Sequence, residues 1–139
     1  MIKALTHVNV WVDDQDEAID FYTKKLGFEL RDDVTVAELG NFRWVTVGPV
    51  GQPGVSLALM TVPGPPVFDQ ETSTQLKALV AKGAAGGLFF QADDVRETFE
   101  QLKKAVVEMG QEPTEQPYGL DASFRDPSGN NIRMMQAPA

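Results

Sequence analysis

The chain has 139 residues, 20 of them acidic and 12 basic, and a formal net charge of -8. This length fits one ordinary domain, and an acidic surface repels phosphate backbones, so no nucleic-acid partner is expected. Cysteine is absent, which excludes disulfides, thiolate metal sites and a cysteine nucleophile. Because the sequence shows neither a signal peptide nor an apolar run of membrane-spanning length, we expect a soluble cytoplasmic protein without membrane partners.

The first predicted strand, over residues 3–12, contains His7, the only histidine of the chain. Side chains alternate between the two faces of a strand, and valines occupy every position of one face from Val8 onward. That face is typical of a hydrophobic core. The other face is aromatic and hydrogen-bonding, which is typical of a pocket wall, and it consists of His7, Asn9 and Trp11.

A helix is predicted directly after this strand. Asp14 can cap its N-terminus, and Glu17 stands three residues later, as in a capping box. Gly27 can adopt the left-handed conformation that ends a helix. Glycine and proline turns then separate three further predicted strands, which cover residues 28–36, 42–47 and 55–60.

A connector over residues 62–84 joins the two halves of the chain. Its proline-rich beginning cannot continue a strand, and a short helix is predicted within it from Asp69 to Ala81. The connector therefore separates a first unit, residues 1–61, from a second unit, residues 85–139.

The second unit repeats the order of the first with an offset of about eighty residues. Its first strand leads to Asp94, a second capping aspartate, and the following helix is predicted to reach about Met109 and to end at Gly110. Three strands follow, over residues 112–116, 122–125 and 131–136. A tight turn, Asp126-Pro127-Ser128-Gly129-Asn130, joins the last two.

Three segments, added to this duplication, resemble the glyoxalase, bleomycin resistance and extradiol dioxygenase (vicinal oxygen chelate) superfamily. They are the Phe-Tyr-x-x-x-Leu-Gly-Phe segment at residues 21–28, Pro117-Tyr118-Gly119, and the phrase from Phe124 to Asn130. The resemblance implies an α+β, glyoxalase-like fold in which two tandem βαβββ units form a curved mixed sheet, an open barrel around a cavity. It also implies a homodimer, because family members commonly form two-fold dimers.

The resemblance also gives four positions at which metal enzymes of the family place His or Glu. They correspond here to His7, Ser56, Gly87 and Arg133. A divalent metal in a catalytic site usually needs about three protein ligands, and a fixed guanidinium repels it. We therefore expect no cofactor and no bound metal in this chain.

Strand alternation predicts the side chains that line the cavity wall. Trp11 and Phe89 could stack on a flat ligand, or could simply belong to the core. Arg133 could hold a carboxylate or phosphate, or could pair with a nearby carboxylate. The predicted ligand-binding residues are His7, Asn9, Trp11, Ser56, Met60, Phe89, Gln91, Tyr118, Arg133 and Met135, with Ala58 and Gly87 completing the wall; Tyr118 could close over the cavity.

Two classes of function follow from these expectations. The first is a metal-free protein that binds a small organic molecule, aromatic or anionic in character, as drug-resistance members of the family do. The alternative is an enzyme: a lyase or dioxygenase that uses a metal bound by His7, or an acid-base catalyst with His7 as its base. The sequence leaves the question of catalysis open.

Overall fold

The computed structural model describes residues 1–138. The chain forms two compact units, one from Met1 to Pro63 and one from Gly64 onward. Each unit contains one mixed sheet, of four strands in the first and five in the second, with helices beside them. Within the described residues both sheets are open at their edges, and the predicted α+β, glyoxalase-like fold is confirmed. The helices of residues 1–138 are all too short or too polar to cross a membrane.

Unit 1 has the predicted order of one strand, one helix and three strands. The bounds are β1 His7–Val12, α1 Gln15–Asp20, a π-turn Phe21–Lys25, β2 Glu29–Val36, a 3-10 turn Ala37–Leu39, β3 Phe42–Gly48 and β4 Ser56–Thr61. The helix α1 continues into the π-turn, and the 3-10 turn follows β2. The sheet has the strand order β1-β4-β3-β2, and β1 is parallel to β4 whereas the other pairs are antiparallel.

Capping residues set the ends of the helical segment, and buried side chains pack it against one face of this sheet. The Asp14 carboxylate accepts a hydrogen bond from the Glu17 backbone N–H at 3.0 Å, and Gly27 has a φ of 75° after the helix. Phe21 and Tyr22 are buried with the valine face of β1 and with alternate residues of β3 and β4. The core of the unit is Val10, Val12, Ala18, Phe21, Tyr22, Val45, Val47, Leu57 and Leu59.

Unit 2 begins with the connector helix and then repeats the pattern of unit 1, except that four strands instead of three follow its second helix. The bounds are α2 Gln70–Ala81, β5 Gly87–Gln91, α3 Val95–Lys104, β6 Glu108–Met109, β7 Thr114–Gln116, β8 Gly119–Arg125 and β9 Asn131–Gln136. Its sheet has the strand order β5-β9-β8-β6, and β7 pairs with β8. β5 is parallel to β9, and the other pairs are antiparallel.

The end of α3 differs from the sequence prediction. The helix ends at Lys104, and Val106 is 85% exposed with a φ of 64°, so it is not a core residue of the helix. Met109 lies in β6, opposite Phe124 of β8. The prediction that Gly110 ends the helix is wrong, because Gly110 follows β6 and its backbone N–H donates a hydrogen bond to the Ser123 carbonyl of β8 at 2.8 Å. Pairing with β8, which is distant in sequence, thus outweighs the helical pattern of residues 105–109.

The Asp-Pro-Ser-Gly-Asn turn between β8 and β9 is buried and internally hydrogen-bonded. Asp126 accepts hydrogen bonds from the backbone N–H groups of Ser128 and Asn130 and from the Asn130 amide. Gly129 has a φ of 105°, and a Cβ there would lie 2.5 Å from the Ala81 carbonyl oxygen. The turn therefore packs directly against the end of α2, which requires glycine at this position.

Candidate functional site

The far face of unit 1 is the sheet face turned away from α1, and the strand register fixes its members. The pairs between β1 and β4 are His7 with Ser56, Asn9 with Ala58, and Trp11 with Met60. Residues paired across two strands lie on the same face of a sheet. The structure therefore brings together all the residues that the sequence predicted for this wall in unit 1: His7, Asn9, Trp11, Ser56, Ala58 and Met60.

Sequence reasoning missed the contribution of β3 to this face. Thr46 pairs with Ala58, which places Thr46 and Trp44 on the same side as the predicted wall. The Trp44 ring lies 5.2 Å from the His7 ring, centroid to centroid, in an edge-to-face arrangement. Alternation along β3 could have identified Trp44 as soon as the pairing of β3 with β4 was assumed.

Arg31 occupies the end of the far face at which Ser56 lies. It stands at a bulge in β2, and its side chain is 14% exposed. All five guanidinium N–H donors are used. Nη1 donates to the Val55 carbonyl at 2.6 Å and to the Ser56 hydroxyl at 2.9 Å. Nη2 donates to the Pro49 and Gln52 carbonyls, and Nε donates to the Glu29 carboxylate. A permanent positive charge is thus fixed beside Ser56.

The residues around His7 fit a divalent metal poorly. The His7 Nδ1 lies 2.9 Å from the Thr6 hydroxyl, and its neighbour across the strand pair, Ser56, is hydrogen-bonded to Arg31. A metal site needs imidazole or carboxylate ligands rather than a hydroxyl next to a guanidinium. Across residues 1–138, no group of three His, Asp or Glu side chains is placed to hold a metal ion.

The far face of unit 2 is the sheet face turned away from α3. β5 and β9 pair in parallel, with Gly87 opposite Asn131, Phe89 opposite Arg133, and Gln91 opposite Met135. Phe89 is 67% exposed, so the interpretation of this ring as a core residue is wrong. Its Cε2 lies 4.0 Å from the point where a Cβ of Gly87 would stand. The ring therefore lies beside Gly87, the residue that the resemblance matches to a ligand position of the metal enzymes.

A buried carboxylate organises the polar part of this face. Asp121 is fully buried on β8, next to Met135 of β9. It accepts hydrogen bonds from Gln111 Nε2 at 2.7 Å, from the Tyr118 hydroxyl, and from Arg133 Nη1 at 3.2 Å. The sequence pattern indicated Tyr118 and Arg133 but not Asp121 or Gln111. The contacts of Asp121 with these residues form only through the β7–β8 hairpin and the β8–β9 pairing.

Tyr118 is held at the turn between β7 and β8 by this carboxylate. The hydrogen bond to Asp121, and secondarily desolvation, raise the pKa of the Tyr118 hydroxyl above its usual value. The phenol therefore remains a neutral hydrogen-bond donor at neutral pH. Arg133 donates from Nη1 to Asp121 Oδ2 and to the side-chain Oε1 of Gln111, each at 3.2 Å. This agrees with the predicted pairing to a nearby carboxylate.

A separate cavity of about 440 Å³ lies on the other side of the unit 2 sheet, and its lining includes Arg96, Glu115, Leu120 and Gln136. Leu120 pairs with Gln136 on the face that α3 covers. None of the predicted wall residues contributes to this cavity. This cavity is therefore distinct from the far faces on which the predicted wall residues lie.

The chain is similar to proteins of one family along nearly its whole length. The model of the Glyoxalase/Bleomycin resistance protein/Dioxygenase superfamily matches residues 4–134. An uncharacterized protein of Shewanella frigidimarina is 35% identical over 98% of this chain and 95% of its own length. The uncharacterized protein YurT of Bacillus subtilis is 34% identical over 92% of this chain and 94% of its own length.

Two crystal structures are similar in both fold and sequence. That of UcmS2 is 44% identical, with a TM-score of 0.86 over 97% of this chain and 98% of its own. That of TnmS3, described as an antibiotic binding protein from Streptomyces sp. CB03234, is 30% identical, with a TM-score of 0.76 over 99% of this chain and 98% of its own. Together with the duplicated units and the strand register, these matches show that the chain belongs to the Glyoxalase/Bleomycin resistance protein/Dioxygenase superfamily.

Proposed function

We propose that this protein binds a small organic molecule with an aromatic portion, and that it does so without a metal ion. The observation that most directly supports this proposal is the exposed Phe89 ring beside Arg133 on the far face of unit 2. A large aromatic side chain exposed next to a hydrogen-bonding group is typical of a binding surface. The similarity to TnmS3, an antibiotic binding protein, makes an antibiotic a reasonable class of ligand.

The far face of unit 1 supports the same function. Asn9 is exposed, and its side-chain amide has no hydrogen-bond partner among the residues that the structure describes. The aromatic rings of Trp11 and Trp44 stand on the same face, so apolar and polar contacts are available together. Such a mixture of aromatic surface and a few polar groups is typical of small-molecule sites.

The proposal of metal-free binding depends on Arg31 and Gly87. A guanidinium whose donors are all bonded cannot be removed from Ser56 without breaking the loop contacts it makes. Gly87 offers no side chain to a metal. The alternative function, a lyase or dioxygenase with a metal on His7, would need ligands other than these.

Binding is tested by thermal shift and calorimetry with a panel of aromatic antibiotics. A ligand that binds only the folded chain raises the melting temperature. At least one compound is expected to bind with one-to-one stoichiometry. If no compound of the panel binds at millimolar concentration, the proposal is wrong.

The metal-free character is tested separately, by elemental analysis of the purified protein and by titration with Zn²⁺, Mn²⁺ and Fe²⁺. We expect less than stoichiometric metal and no effect of chelators on ligand binding. Stoichiometric metal that is lost in a His7→Ala variant would support the enzyme alternative instead.

We also propose that the protein is a homodimer. β2 is one of the two outer strands of the unit 1 sheet, and most of its eight residues are exposed. An uncovered outer strand leaves main-chain groups available for pairing with another chain. Sedimentation equilibrium at micromolar concentration is expected to give twice the chain mass of 15.2 kDa, and the mass of a single chain would contradict the proposal.

A further inference from the structure

We propose that Asp121 sets the charge class of the ligand: by neutralising Arg133, it makes the far face of unit 2 select uncharged hydrogen-bond acceptors over carboxylates and phosphates. This inference rests on the proposed binding function and narrows it. It replaces the expectation that Arg133 holds an anion by paired hydrogen bonds. Asp121 acts here through Arg133, as a residue that determines specificity.

The hydrogen bonds of Arg133 leave part of its guanidinium available. Nη1 donates to Asp121 and to Gln111, whereas Nε and Nη2 donate to no residue that the structure describes. The side chain is 29% exposed. Two or more N–H groups can therefore donate to a ligand while the contact with Asp121 is kept. Phe89, opposite Arg133 on the adjacent strand, offers an aromatic surface next to these donors.

The charges of Arg133 and Asp121 offset each other. The guanidinium and the fully buried carboxylate lie 3.2 Å apart, and the other two partners of Asp121, Tyr118 and Gln111, are neutral donors. A ligand anion at Arg133 would meet the attraction of the guanidinium and the repulsion of the carboxylate together. The net charge of -8 of the whole chain adds no attraction for anions.

An anion also cannot easily take Arg133 away from Asp121. A carboxylate that remains buried after losing its cationic partner is strongly destabilised. An uncharged acceptor, such as a carbonyl, an ether, a hydroxyl or a ring nitrogen, reaches the same free Nε and Nη2 donors as an anion would, without the repulsion of the Asp121 carboxylate. We therefore expect a ligand that presents such an oxygen or nitrogen beside its aromatic part.

Two probes of the same shape test this inference: 2-naphthamide and 2-naphthoate, which differ in charge at neutral pH. Their dissociation constants are measured by calorimetry on the full chain, on Asp121→Asn and on Asp93→Asn. The Asp93→Asn control removes the same formal charge from an exposed position in the same unit. We expect the full chain and Asp93→Asn to prefer the amide by about tenfold, and Asp121→Asn to shift the preference toward the carboxylate by about tenfold or more.

The outcomes separate this inference from the proposed function. If both probes bind and the unaltered chain prefers the carboxylate, or if Asp121→Asn leaves the preference unchanged, the inference is wrong and ligand binding stands. If neither probe binds although a compound of the antibiotic panel does, the inference is wrong and the proposed function stands. If no compound of the panel binds either, both are contradicted. Should Asp121→Asn fail to fold, the preference of the unaltered chain between the two probes still decides.

Discussion

The Arg31 guanidinium donates a hydrogen bond to the Ser56 hydroxyl, with Nη1 and Oγ 2.9 Å apart. The two residues are 25 positions apart in the sequence and meet because β2 has a bulge at Arg31. A Cβ on Gly48 would lie 2.4 Å from the same Nη1, so the glycine gives the guanidinium its space. This contact places a fixed cation beside Ser56, the residue that the resemblance matches to a ligand position of the metal enzymes.

Replacing Arg31 by methionine is expected to lower the free energy of unfolding by about 2 to 4 kcal/mol. The substitution leaves the carbonyls of the β3–β4 loop, at Pro49, Gln52 and Val55, without their donor. Urea unfolding followed by circular dichroism measures the loss. Arg96→Met is the matched control, at an exposed helix position, and is expected to change stability by less than about 0.5 kcal/mol. Equal effects of both substitutions would contradict the role of Arg31.

Replacing Phe89 by alanine is expected to weaken the binding of an aromatic ligand by about tenfold. The melting temperature should hardly change, because the ring is 67% exposed and little packing is lost. Leu79→Ala, at a residue of α2 that is 43% exposed, is the control and should leave affinity unchanged. A large loss of stability without a change in affinity would assign Phe89 a purely structural role.

The ionisation of Tyr118 should be displaced to alkaline pH. The hydrogen bond to Asp121 raises the pKa of Tyr118 in the folded chain. The stabilisation that this hydrogen bond gives is fully present below the ordinary tyrosine pKa. It is lost as the pH rises through the higher pKa of the folded state. The chain has two tyrosines, and a Tyr118→Phe variant assigns the tyrosinate absorbance to one of them. The stability difference between the unaltered chain and Tyr118→Phe should shrink at alkaline pH. An ordinary pKa for Tyr118 would contradict the contact.

Replacing Gly129 by alanine is expected to cost about 2 kcal/mol or more of stability. The residue has a φ of 105°, and the new Cβ would approach the carbonyl oxygens of Ala81 and Val80 at 2.5 and 2.7 Å. Gly51→Ala is the control, because its Cβ would have no neighbour within 4 Å. Thermal unfolding of the two variants measures the difference. Similar melting temperatures would show that the turn does not pack against α2.

The sequence by itself determined the order of the elements apart from the short strand β6, and the face on which the side chains of the wall lie. Strand alternation placed His7, Asn9 and Trp11 opposite the valines, and Asp14 and Asp94 marked the starts of two helices where the structure has them. Strand alternation depends on a two-residue repeat, and helix capping depends on contacts within about four residues. Both can be recognised in a single sequence. The sequence also showed the duplication of the two units, and the resemblance to the superfamily added the expectation of a curved sheet around a cavity.

Only the tertiary structure decided what the polar residues of the wall contact. The pairing of Asp121 with Arg133 and the position of Arg31 beside Ser56 follow from strand pairings between distant segments, which no local pattern specifies. The same holds for β6, which forms opposite Phe124 although the sequence pattern there predicts helix. A charge that the fold buries needs a partner, and that partner can come from any segment that the fold brings near. The partners of Arg31, Asp121 and Arg133 therefore depend on the tertiary structure and not on a local sequence pattern.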